Sequence, residues 1–335
     1  MRLSVIGTGY LGATHAVSMA ELGHKVVGVD TDPIKIDRLA AGHVPFYEPG
    51  LPELLSKHVA SGALRFTTSI QTAAAFADLH FVCVGTPQKQ GEYAADLTFV
   101  DAAFLALREW VRPGAVVVGK STVPVGTATR LAALLRDAGV ELVWNPEFLR
   151  EGFAVEDTLR PDRIVIGATD DAARELLEAA YAPILATGTP VVRTDFATAE
   201  LVKVAANAFL ATKISFINAV AEVCEVAGAD VAQLAEAIGH DERIGHKFLR
   251  AGLGFGGGCL PKDIRAFMAR AGELGVDQAV SFLKNIDEIN LRCRARMVDL
   301  AREMCEGSLA GRRIGVLGAA FKPDSDDIRD SPALD

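Results

Sequence analysis

The chain has 335 residues, 50% of them hydrophobic and 23% charged, with a formal net charge of −9 and no basic tract. A negative field of that kind disfavours nucleic acid and anionic membranes as partners, so an anionic small molecule must be held by a few local cations and backbone N–H groups. The length admits two domains with cores of their own. No apolar run is expected to approach the about 20 residues that cross a bilayer. Met1-Arg2 leads directly into a short apolar strand with no room for a leader peptide, and a cytoplasmic location is the resulting expectation. The five cysteines, Cys83, Cys224, Cys259, Cys293 and Cys305, form no C-x-x-C pair, which reads as neither a disulfide framework nor a zinc ribbon.

In chain order, short β-branched runs alternate with helical stretches. The expected strands are Leu3–Ile6, Lys25–Asp30, Leu64–Thr67, His80–Val84, Ala115–Gly119, Leu142–Trp144, Arg163–Gly167 and Pro190–Arg193. Their near-continuous apolar character suits a parallel sheet covered on both faces, and the alternation reads as a doubly wound α/β domain over residues 1–195. Gly7-Thr8-Gly9-Tyr10-Leu11-Gly12 matches G-x-G-x-x-G between the first strand and a helix start, the arrangement that admits a pyrophosphate. The second strand ends at Asp30, where an acid takes ribose hydroxyls; the bland reading makes Asp30 a turn cap ahead of Thr31-Asp32-Pro33. An acid there favours NAD over NADP, against which Lys35 leaves a small opening.

Past Asp195 the pattern becomes helical. Ala197–Ala227 reads as one long apolar helix, interrupted by Glu200, Lys203, Asn207 and Asn218, with Lys203 and Asn207 one turn apart on one face. A cation and an amide there suit an oxyanion; a solvated stripe is the bland alternative. In Gly254-Phe255-Gly256-Gly257-Gly258-Cys259-Leu260-Pro261-Lys262-Asp263, Pro261 suits the first turn of a helix, which puts Cys259 at its N-terminus, where a thiolate is favoured, and Asp263 one turn on. The other four cysteines read as small buried thiols. The loops Ser121-Thr122-Val123-Pro124 and Asn145-Pro146-Glu147-Phe148-Leu149-Arg150-Glu151 each follow a strand, where ligand contacts emerge in such sheets. A further helical run spans about Asp277 to Cys305. Arg313–Gly318 then reads as a fresh strand and turn, the start of another α/β domain left incomplete at residue 335.

Together these segments, with Gly85-Thr86-Pro87 and with Phe321-Lys322-Pro323-Asp324 through Arg329-Asp330-Ser331-Pro332, occur in the order seen in the UDP-glucose/GDP-mannose dehydrogenase family. The chain resembles that family over essentially its whole length, and the loop ending in Cys-x-Pro-Lys-Asp is the most specific part. The resemblance implies a Rossmann-type domain over residues 1–195, an all-helical central dimerisation domain over residues 196–296, and a linker helix with the start of a truncated UDP-binding domain over residues 297–335. It implies NAD-dependent four-electron oxidation of UDP-glucose to UDP-glucuronate. Cys259 is then the nucleophile, Lys203 and Asn207 line the oxyanion, Asp263 assists, and Glu147 with Thr122 and a water runs thioester hydrolysis.

By the same resemblance the cofactor contacts are Gly7, Gly9, Tyr10, Leu11, Gly12, Asp30, Lys35, Thr86, Thr122, Glu151 and Arg329. The substrate contacts are Phe148, Leu149, Arg150, Glu151, Lys203, Asn207, Arg243, Arg250, Phe255, Gly256 and Lys322. A homodimer built on the long helix is implied as well, with Arg243 reaching across. Two other readings stay open. A two-electron hydroxyacid dehydrogenase of the 6-phosphogluconate type needs no cysteine, and a non-catalytic NAD-binding fragment would turn nothing over. No metal is expected, because the spacing of His240 and His246 fits no usual ligand pattern.

Overall fold

The computed structural model describes residues 1–335, and the chain divides into two compact units. One comprises Met1–Lys89 with Ala95–Lys203, the other Gln90–Ala94 with Val204–Asp335. All eight expected strands form: β1 (Arg2–Ile6), β2 (Lys25–Val29), β3 (Leu64–Thr67), β4 (Leu79–Val82), β5 (Val116–Gly119), β6 (Glu141–Trp144), β7 (Ile164–Ala168) and β8 (Val191–Thr194). They make one sheet in the order β3-β2-β1-β4-β5-β6-β7-β8. The first six run parallel in the doubly wound dinucleotide-binding order, in which the direction of strand succession reverses between β1 and β4, so the loops after β1 and β4 flank the usual ligand crevice.

The sheet departs from the all-parallel expectation at one place. β7 runs antiparallel to β6 and overlaps it at only two register pairs, Val143 with Ala168 and Trp144 with Gly167. The segment between them holds one short helix, Ala154–Leu159. It does not carry the chain back to the starting edge, so the next strand enters from the opposite end.

Both faces of the sheet are covered, which explains why the strands are apolar without alternation. Leu3, Val5, Phe81, Val118 and Ile166 pack on one face with Ala16 and Met19 of the helix Tyr10–Glu21. Val82, Val117, Leu142 and Val165 pack on the other with Phe104 and Leu131. The second unit is built on helices: most of Phe196–Ala227, then Val231–Gly239, Leu260–Glu273 and Phe282–Met304. Its core gathers Ala208, Ala211, Phe255, Ile264, Leu283 and Ile286.

Two expectations are corrected here. Arg313–Gly318 forms no strand, and Leu317 is 99% exposed. Isolated β-backbone has no ladder partner, and no ninth strand joins the sheet to supply one. The helix Phe196–Ala227, at 32 residues, is long and apolar enough by length and composition to cross a membrane, contrary to the expectation that no run approached that length. Its polar groups nevertheless bind this chain's own backbone. Glu200 accepts from the N–H groups of Gly126 and Ala128 at 2.7 and 2.6 Å. Ser215 donates to the Ile286 carbonyl at 2.9 Å, and Lys213 to that of Ile244 at 2.9 Å.

His80, fully buried on β4 with Nδ1 2.7 Å from the Ser4 hydroxyl, has its pKa lowered by burial to about 4. The unfolded chain takes up that proton near pH 6.5 and the folded chain only near 4, so stability is full above about pH 6.5 and falls as pH drops toward 4. Replacing His80 by Asn should remove about 1.4 kcal/mol per pH unit from the slope of unfolding free energy across that window. Urea titrations at several pH values check this, and an unchanged slope contradicts it.

Candidate active site

The glycine-rich loop after β1 is fixed by close packing. A Cβ on Gly12 would lie 1.7 Å from the Gly7 carbonyl oxygen, whereas one on Gly9 would meet nothing within 4 Å. The backbone at Gly9 therefore faces open space beside the N-terminus of the helix Tyr10–Glu21, an arrangement with room for a pyrophosphate. Asp30 accepts hydrogen bonds from the Thr8 amide (2.9 Å), the Thr8 hydroxyl (3.1 Å) and the Lys35 ammonium (2.8 Å). Burial pushes its carboxyl up, but Lys35 and the amides of Thr8 and Asp32 outweigh that and hold it below the usual carboxylate range. The turn-cap role belongs to Asp32, which accepts from the Ile34 and Lys35 amides. Asp30 instead presents an ionised carboxylate beside the loop, with Lys35 already spent on it. These features fit NAD.

Leu11 packs into the core. The Tyr10 hydroxyl donates to Glu48, a buried carboxylate that also accepts from the Gly152 and Ala154 amides at 2.7 Å each. Burial, then the Glu48 carboxylate, push the Tyr10 hydroxyl up, so it stays a donor. Glu48 gave no signal in the sequence, since a lone acid in a Pro- and Gly-flanked loop looks like any surface residue.

The loops after β4, β5 and β6 meet at the same edge of the sheet. Thr86 donates to the Thr122 carbonyl at 2.8 Å, and Ser121 to that of Val84 at 2.7 Å. Beneath them lies Lys120, only 3% exposed. Its ammonium donates to Asn145 Oδ1 (2.9 Å) and the Tyr181 hydroxyl (3.3 Å) and stands 3.6 Å from Glu147 Oε2. Burial alone would discharge it, but Tyr181 and Glu147 outweigh burial and hold it charged. Glu147 Oε1 accepts from the amides of Phe148 and Leu149 at 2.5 and 2.6 Å. The ring of Phe148 lies under two cations, Arg163 at 3.9 Å and Lys203 at 5.4 Å from its centroid. Lys203 is thus brought to the Asn145–Glu151 loop. The sequence reading missed Lys120; its signal was a lysine directly following a fully apolar strand.

In the second unit, Cys259 is the N-cap of the helix Leu260–Glu273 and the one exposed thiol of the five. Cys83 is sealed in the core of the first unit, where burial pushes its thiol up to about 12. Asp263, 2% exposed, accepts from the Asn207 amide at 2.6 Å and the Lys262 ammonium at 2.5 Å. Asn207 therefore reaches Asp263 rather than standing free. The glycine loop ahead of Cys259 is held by Asn290, which accepts from the Phe255 amide (2.7 Å) and donates to the Phe255 carbonyl (2.9 Å). Arg294 donates to the same carbonyl at 3.0 Å and to Asp330 at 2.9 Å. A Cβ on Gly256 would lie 2.2 Å from the Asp330 carbonyl oxygen, and one on Gly258 2.5 Å from the Arg329 guanidinium carbon.

Several other residues expected to contact ligands have partners within the chain. Arg150 forms a bidentate pair with Asp157 (2.9 and 2.6 Å), Arg243 one with Asp241, and Arg329 one with Asp327. Arg250 is exposed, Lys322 lies 5.6 Å from the Phe321 ring centroid, and Glu151 is nearly buried.

The chain matches the UDP-glucose/GDP-mannose dehydrogenase family in two parts, the NAD binding domain over residues 1–185 and the central domain over residues 197–292. It is 45% identical over 340 residues to a UDP-glucose 6-dehydrogenase of Rhizobium meliloti, covering 100% of this chain and 77% of that protein. It is similar to the solved structure of a UDP-glucose dehydrogenase from the hyperthermophilic archaeon Pyrobaculum islandicum, at 43% identity and a TM-score of 0.93, covering 99% of this chain and 77% of that one. A UDP-D-ManNAc dehydrogenase from Pyrococcus horikoshii is similar at 28% identity and a TM-score of 0.88, covering 100% of this chain and 79% of that one. Fold, site and matches define an NAD-dependent oxidoreductase. The chain belongs to the UDP-glucose/GDP-mannose dehydrogenase family.

Proposed function

We propose that this chain oxidises UDP-glucose to UDP-glucuronate in two two-electron steps, with covalent intermediates on Cys259. The observation that carries the reading is the exposed thiol at a helix N-terminus one turn from the buried, doubly bonded Asp263. The choice of sugar is supported by relatives named for UDP-glucose at 45% and 43% identity, against 28% for the one named for UDP-D-ManNAc.

Gly7, Gly9, Tyr10, Leu11, Gly12, Asp30, Lys35, Thr86, Thr122, Glu151 and Arg329 would hold NAD, which would supply the hydride acceptor for each oxidation. The residues of the chain supply the rest. The C6 hydroxyl gives up its proton to water and the carbon its hydride to the nicotinamide acceptor, leaving an aldehyde. The Cys259 sulfur adds to that carbon, because a trigonal aldehyde does not readily lose hydride and a tetrahedral thiohemiacetal does. Lys203 and Asn207 donate to the oxyanion formed. Loss of the second hydride leaves a thioester; Glu147 takes a proton from the water that cleaves it, with Thr122 helping to orient that water, freeing the acid and the thiol. Asp263 orients Asn207. Phe148, Leu149, Arg150, Arg243, Arg250, Phe255, Gly256 and Lys322 hold the sugar nucleotide.

The reading requires two NADH per UDP-glucose consumed, measured by absorbance against sugar-nucleotide chromatography; one NADH per sugar contradicts it. Lys203→Ala should lower turnover about 10²–10³-fold, the usual cost of an oxyanion donor. Cys259→Ser should release no acid.

The long helix supports a homodimer. Phe209, Phe216 and Val223, spaced by seven and 66%, 51% and 66% exposed, form one apolar stripe along it. Light scattering should give twice the 35.5 kDa chain mass, and Phe216→Glu should shift it to monomer; a monomeric unsubstituted chain overturns the assignment.

A further inference from the structure

Three side chains of metal-ligand type that take no part in the proposed oxidation flank Arg243 in the chain. Glu236 and His240 sit one turn apart at the end of the helix Val231–Gly239, with His240 as its C-cap. The chain then turns back on itself, the amides of Ile244 and Gly245 donating to the Asp241 carbonyl at 2.9 Å each, with Gly245 at φ 70°. The reversal returns His246 to the helix end. His240 Nε2 lies 3.3 Å from Glu236 Oε1, and His246 Nδ1 lies 3.6 Å from Glu236 Oε2. One ligand atom from each of the three residues falls within 4.8 Å of the others. The two imidazoles meet edge to face, their centroids 4.9 Å apart at 87°. The expectation drawn from spacing weighed the two histidines alone, without the turn or the acid.

We propose that Glu236, His240 and His246 form a surface site for one zinc-type divalent cation. Ligand atoms about 2.0–2.1 Å from a tetrahedral ion stand roughly 3.3–3.4 Å from one another. The imidazoles stand 3.3 Å from one oxygen of Glu236 and 3.6 Å from the other, and the three ligand atoms, within 4.8 Å of one another, need only a small contraction to reach that value. Two imidazoles and one carboxylate are the donor set a borderline ion such as zinc takes, with the fourth position left to water. Gly239 is a second, independent sign of close fit. A Cβ there would lie 2.3 Å from His246 Nδ1, so the absence of a side chain is what lets that ring approach. The adjacent acid, Asp241, is occupied by Arg243 and does not compete. The bound ion would cross-link the helix Val231–Gly239 to the turn carrying Arg243.

The test titrates the whole chain with zinc chloride by calorimetry and with cobalt chloride by absorption. The expected result is one zinc ion bound per chain at this site. The cobalt form should show tetrahedral ligand-field bands without the thiolate charge-transfer band that binding at Cys259 would give. His240→Ala and His246→Ala should each weaken binding on the order of tenfold or more. Gly239→Ala keeps all three ligands yet should weaken it too by displacing the His246 ring, and circular dichroism checks that each variant folds. Equal zinc uptake by the unsubstituted chain and the His240→Ala/His246→Ala double variant overturns the proposal, as does a cobalt spectrum carrying only the thiolate band.

Discussion

Much of the first unit is organised by one buried charge. An ammonium sealed from water costs several kcal/mol unless acceptors meet it, so Lys120 constrains everything around it. Asn145 and Glu147 of one loop and Tyr181 of another segment supply those acceptors, which joins the loop after β6 to the end of β5. Glu147 then has one oxygen toward Lys120 and the other on the amides of its own loop. The next residue, Phe148, is left as a flat surface for Arg163 and Lys203. Three cations thus surround one short loop in a chain whose net charge is −9. That local excess is how an acidic protein can hold an anionic ligand.

The long helix Phe196–Ala227 carries the last residues of one unit and the first of the other. Each polar residue that interrupts its apolar surface has a specific partner. Glu200 caps the helix Thr127–Arg136, where a carboxylate meets the positive end of the dipole. Asn207 holds Asp263. Asn218 accepts from the Gly252 amide at 2.8 Å, tying the start of the cysteine loop to the helix. Arg265, Arg294, Asp287 and Asp330 lock the far side of that loop. The loop is therefore braced from two sides, as a thiol that must be aimed requires.

The sheet was legible because its signal is local: continuous β-branched runs between glycine turns are enough to place eight strands. The glycine-rich loop and the cysteine loop were legible for the same reason. Features made by distant residues were not. Lys120 and Glu48 acquire meaning only through partners such as Tyr181 and Gly152, and neither residue stands in a periodic pattern. The reversal of β7 depends on where a 19-residue connection happens to lead, which composition does not encode. Arg313–Gly318 shows the opposite error. It has the residues of a strand, yet a strand is a relation between two segments and nothing pairs with this one. Arg150, Arg243 and Arg329 are expected as ligand contacts through the family resemblance alone, and the aspartate that each guanidinium grips is a partner the resemblance does not name.

The covalent reading rests on the sulfur of Cys259 carrying the sugar through the second oxidation. The direct measurement is intact-protein and peptide mass spectrometry of Glu147→Gln mixed with UDP-glucose and excess NAD, then quenched in acid. With hydrolysis blocked, the account predicts an acyl adduct of the sugar nucleotide on the peptide containing Cys259, formed as two NADH appear. Free UDP-glucuronate with no adduct on that peptide, or an adduct on another residue, would contradict it.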